Sequence, residues 1–85
     1  VEKIRASLAK KLISCGVTGD AVDKMAERIE RDVKEPVFGI TPMDVANIRI
    51  KHEPGKDVFV YIGRRDWQFG EDGHMVGAGY GFGCC

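Results

Sequence analysis

The stretch over residues 48–69, IRIKHEPGKDVFVYIGRRDWQF, decides the fold. Ile48, Ile50 and His52 alternate with Arg49, Lys51 and Glu53, the two-residue period of a half-buried strand. Pro54 and Gly55 then stand at the positions a type II turn prefers, within EPGK. Residues 58–62, VFVYI, are the most β-prone run in the chain. Val58, Val60 and Ile62 face one way, and Phe59 and Tyr61 the other. Apolar residues on both faces predict a central strand. GRRD reads as the next turn and WQF as a short strand.

Reading outward toward the C-terminus, GEDG (70–73) is a turn and residues 74–83 form a last strand. Glycine occupies every second position from Gly77 to Gly83. In a strand these glycines share one face, and Val76, Ala78, Tyr80 and Phe82 share the other. A bare face allows close backbone approach, by a helix of the same domain or by a partner. The spacing superficially matches a phosphate loop, but such a loop needs a helix after it. The sequence given ends at Cys85, two residues past the last glycine.

Toward the N-terminus the period changes. Val1, Ile4, Leu8, Leu12 and Cys15 recur at three- and four-residue steps, predicting a helix over 1–15 with Gly16 as its C-terminal cap. A second helix follows to Pro36, capped by Thr18 or Asp20, with Val22, Met25, Ala26, Ile29 and Val33 as its apolar stripe. The short loop between them implies an antiparallel hairpin. Thr41, Pro42 and Asp44 mark the start of a third, short helix over about 42–47.

The 85 residues therefore read as one α+β domain in two layers. A helical hairpin (1–35) and a short helix pack on a three- to four-stranded antiparallel meander, the helix and meander together spanning 41–83. Ile4, Leu8, Leu12, Met25 and Ile29 are the expected contact with the sheet.

Thirteen basic residues balance thirteen acidic ones, and neither half is biased. A protein held on nucleic acid by bulk charge needs a cationic face, so partner choice here rests on local patches. No apolar run approaches the ~18 residues of a membrane span. Cys15, Cys84 and Cys85 form no disulfide framework, which suits a reduced, cytoplasmic setting. Adjacent cysteines also fit a tetrahedral metal poorly, so neither metal nor cofactor is expected. His52 and His74 have no nucleophile at a telling spacing, and GEDG is too short for a calcium loop.

GRRDWQF is the most informative polar stretch. Arg, Trp and Tyr concentrate binding energy at protein interfaces. Arg64, Arg65 and Trp67 with Tyr80 and Phe82 are accordingly the expected binding surface, and the last strand offers an edge for β-pairing. The expected function is non-enzymatic docking on a larger protein partner that the chain modulates or inhibits. The alternative is single-stranded nucleic-acid binding, with Tyr61, Trp67 and Tyr80 stacking bases and Arg49, Lys51, Arg64 and Arg65 tracking phosphate. An enzyme with an unrecognised site ranks third. In size and lack of catalytic motifs the chain is similar to small accessory proteins of phages and mobile elements, among them anti-CRISPR inhibitors of bacterial defence.

Overall fold

The computed structural model describes residues 4–17, 19–34 and 39–80. Two helices, α1 (Ile4–Ser14) and α2 (Gly19–Val33), precede a short α3 (Pro42–Ala46). Four strands follow: β1 (Arg49–His52), β2 (Val58–Ile62), β3 (Arg65–Phe69) and β4 (Met75–Tyr80). They pair antiparallel in chain order, so β2 and β3 are central and β1 and β4 are edges. The two-layer α+β arrangement is the one the sequence implies. No helix among the described residues is long and apolar enough to cross a membrane.

The junctions follow local chemistry. Helix α1 ends in a Schellman motif: Val17 N–H donates to Leu12 O at 3.0 Å and Gly16 N–H to Ile13 O at 3.1 Å. Gly16 supplies the positive φ of +90° that this geometry requires. Helix α2 starts at Gly19, which puts Asp20 inside its first turn rather than at its cap; Thr18 lies outside the described residues. Helix α3 opens with a capping box, Asp44 N–H to Thr41 Oγ1 and Thr41 N–H to Asp44 Oδ2. Pro54 and Gly55 make the type II turn, with φ +82° at Gly55 and Lys56 N–H bonded to Glu53 O at 3.0 Å.

The next turn differs from its sequence reading. Ile62 pairs with Arg65, so only Gly63 and Arg64 turn the chain. Gly63 carries φ +61° at the first central position, as a two-residue type II′ hairpin demands. Arg65 and Asp66 are thus strand residues. Further on, the register slips between Gln68 and Phe69, leaving Val76 as the extra residue of a bulge in β4.

The core lies between the helices and one sheet face. Ile4, Leu8, Leu12, Met25 and Ile29 are buried with Val58, Val60, Ile62, Trp67 and Phe69 in one cluster. Partners across a ladder share a face, so this phase fixes the opposite one as well.

Candidate binding face

The opposite face is a two-row array across all four strands. One row runs Arg49, Tyr61, Asp66, Gly79; the next runs Lys51, Phe59, Gln68, Gly77. No described helix or strand lies over it. Cations stand at the β1 edge, aromatics on β2, hydrogen-bonding groups on β3 and bare backbone on β4. Phe59 and Tyr61 are half-buried. Gln68 Nε2–H donates to Asp57 Oδ2 at 2.7 Å, fixing that amide. Phe59 forms a shared wall between two shallow clefts. One of about 260 Å³ lies over Gly77 and Gly79 beside Asp66 and Gln68. The other, of about 230 Å³, reaches Lys51, Lys56 and Tyr61.

The described residues among those expected to bind, Arg64, Arg65 and Trp67, are not gathered in one patch. Trp67 is 1% exposed and belongs to the core. It pairs with Val60, in phase with the buried valines, and its indole N–H donates to Asp32 Oδ2 on α2 at 2.9 Å. It therefore presents no ring to a partner, neither as an interface anchor nor as a base-stacking platform. Arg64 is exposed at the hairpin tip, whereas Arg65 is half-buried in the row of Ile62 and Tyr80. Of Tyr80 only the backbone is described, and Phe82 lies outside the described residues, as do Cys84 and Cys85. Arg49, Lys51 and Tyr61 do come together, all on the uncovered face. Phe59, Gln68 and Gly77 were missed as partners of Tyr61. The alternation in residues 58–62 had already set Phe59 beside Tyr61.

The glycine alternation resolves in the same way. A Cβ on Gly77 would meet no atom within 4 Å, and one on Gly79 would meet only the Asp66 carboxylate, at 2.6 Å. Among the described residues no helix atom lies within 4 Å of a Cβ on Gly77, and the three atoms nearest one on Gly79 all belong to Asp66. Of the two approaches expected, by a helix or by a partner, the helix is therefore not the one found at Gly77. Gly81 and Gly83 are outside the described residues. Gly77→Val should keep or raise stability, by up to about 1 kcal/mol from β-propensity, while filling the cleft floor. A urea midpoint lowered by this substitution would contradict the open face.

The two histidines are both committed to local structure. His52, with its side chain 6% exposed, donates through Nδ1 to Cys15 O at 2.8 Å and through Nε2 to Glu71 Oε2 at 3.0 Å. Both partners accept, so the arrangement calls for the imidazolium. The Cys15 carbonyl and then Glu71 raise its pKa above the ordinary 6.5. Its cation also stands at the negative end of α1. A raised pKa makes this clasp fully present below the unfolded value near 6.5 and removes it as pH climbs through the folded value. Stability should therefore fall as pH rises above about 6.5 and through the folded value, measured by urea denaturation. In His52→Ala that slope should vanish. His74, exposed, bonds Asp72 within the β3–β4 turn and holds that carboxyl below its ordinary range.

Among the described residues no group of three or more His, Cys, Asp or Glu converges on a metal position. The chain matches no family model, no curated protein and no solved structure.

Proposed function

We propose that this chain is a non-enzymatic module that docks on a larger protein through the uncovered sheet face and modulates or inhibits it, in a reducing compartment such as the cytoplasm. The observation that carries this reading is the array itself. Two half-buried aromatics stand at its centre, with cations on one flank and a carboxylate and an amide on the other. An apolar centre inside a polar rim is the anatomy of a protein interface, and Tyr and Arg are its usual anchors. The complementary partner surface has an apolar centre, an acidic group facing Arg49 and Lys51, and a donor facing Asp66.

Charge favours protein over nucleic acid. Asp66 shares the row of Tyr61 and repels phosphate. Among the described residues the two rows carry two cations, Arg49 and Lys51, and Lys56 in the neighbouring cleft is paired with Glu53 at 3.6 Å. Two phosphate contacts release few counterions and bind weakly at physiological salt. The test is paired capture from lysate of the source organism with the wild type, Phe59→Ser and Glu27→Ser, the last an exposed position on α2. One partner should be retained by the wild type and Glu27→Ser and lost by Phe59→Ser. Binding that transfers to an oligonucleotide and collapses between roughly 50 and 200 mM salt would contradict the reading.

A further inference from the structure

The outer face alone is small. Four strands at ~4.8 Å spacing and five residues at ~3.3 Å rise give a patch of roughly 300 Å² in projection. A specific interface takes about 800 Å² from each partner. A docked protein must therefore extend past the array, and the surface adjoining its cationic flank has the shape to receive it. We propose that the free edge of β1, with the groove between it and α1, takes an extended acidic segment of the partner, added as a fifth strand. This rests on the reading that the chain docks on a protein.

Three observations converge there. First, β1 ends the sheet, and among the described residues no strand pairs with its outer side. An edge strand presents unpaired N–H and C=O groups to whatever lies beside it. Second, a groove of about 520 Å³ runs along this edge on the helix side. Ile48, Ile50 and Cys15 contribute its apolar lining, and Ser7, Lys10 and Lys11 line its α1 side. Third, α1 carries Arg5, Lys10 and Lys11 with no acidic residue, and β1 carries Arg49 and Lys51 with none. Arg5 is matched by Glu30 at 3.5 Å. Lys10, Lys11 and Lys51 have no ion-pair partner among the described residues.

The charges also choose the occupant. A second copy pairing through β1 would set Arg49 and Lys51 against their own equivalents, and like charges directly opposite destabilise a ladder. Lysine on an edge discourages such self-pairing. An acidic strand turns the same charges into attraction, so the edge rejects one partner and selects another. Alternation supplies the rest of the specificity. In an added strand, one set of side chains lies over Ile48 and Ile50 and is apolar. The other set lies beside Lys51 on the outer face and is acidic. An acidic residue beyond the apolar set reaches Lys10 or Lys11.

The experiment titrates a capped seven-residue peptide of alternating Glu and Val into the ¹⁵N-labelled chain at low salt, followed by amide chemical shifts. The amides of β1 and of residues 10–15 should move. In a strand, alternate N–H groups point to opposite edges, so N-methylating either all Glu or all Val should abolish binding for one set and spare the other. Lys51→Glu, which reverses the charge beside the Glu set, should weaken the peptide at least tenfold, and a Lys/Val peptide should not bind. Tyr61→Ser should leave the peptide titration unchanged while abolishing capture of the partner, which separates this edge from the outer face. The proposal fails if both N-methylated peptides bind alike. It fails equally if the shifts avoid β1, or if a thymidine oligonucleotide moves the β1 amides and the peptide does not. Loss of partner capture in Tyr61→Ser with no peptide binding to the wild type would overturn the edge and keep the face.

Discussion

Trp67→Ala is expected to destabilise the protein by about 3–5 kcal/mol, the range for truncating a large buried aromatic. A chain of this length has roughly 4–13 kcal/mol of stability in all, so the variant loses about a quarter of it or more, and at the low end of that range reaches the edge of folding at 25 °C. Two effects add. The ring fills the space between β3 and α2, where it is among the largest fully buried side chains. Its indole N–H is also the donor that links Asp32 to the sheet, alongside the Arg28 Nε–H that donates to the same oxygen at 3.2 Å. Trp67→Phe keeps most of the volume and drops the donor, so it should cost less than Trp67→Ala. Asp32→Ala leaves the buried N–H without this acceptor, a loss of about 1–3 kcal/mol. Urea denaturation of the two singles and the double measures the coupling. A Trp67→Ala midpoint within error of the wild type would remove the residue from the core and return it to the list of surface anchors.

Gly73→Ala is expected to cost about 2–5 kcal/mol, far more than a turn substitution ordinarily does. The position carries φ +96°, where a side chain costs about 1–2 kcal/mol. The added Cβ would also lie 2.9 Å from Ala21 Cα and 3.2 Å from Ala21 O, both backbone of α2. Backbone cannot swing aside as a side-chain tip can, so overpacking adds about 1–3 kcal/mol. By contrast Gly55, with φ +82° and nothing within 4 Å of its Cβ, should show the conformational cost alone. A melting-temperature comparison of the two alanine variants separates the terms. Equal losses would mean that the β3–β4 turn does not press on α2.

The contrast between Gly73 and Gly77 shows what the sequence could and could not carry. Close approach between helix and backbone does occur at a glycine, but at Gly73 in the GEDG turn rather than at Gly77, one of the two described glycines of the run. Nothing local distinguishes Gly73: the contact is with Ala21, half a chain away. Trp67 is a similar case. The phase of β3 puts it with Phe69, and the apolar stripe of α2 needed a partner, yet the Asp32 bond joins residues 35 positions apart. Features written in consecutive residues were legible: the period-two run of β2, the Thr41 capping box, the Pro54–Gly55 turn and the cap at Gly16. The grouping of Tyr61 with Arg49 and Lys51 needed the strand order and register as well. Among the described residues the helical hairpin covers one sheet face, which leaves this grouping on the other.

The most direct test of the uncovered face is calorimetric titration of the identified partner into the wild type and into Tyr61→Ser. Tyr61 is half-buried on the outer face and outside the core cluster, so its loss should cost about 1 kcal/mol of stability and leave the chain folded. Removing a central aromatic anchor costs about 2 kcal/mol of binding or more, an affinity drop of roughly thirtyfold. That loss, with folding intact, is the predicted result. Unchanged affinity in Tyr61→Ser would place the partner elsewhere on the molecule and contradict the account.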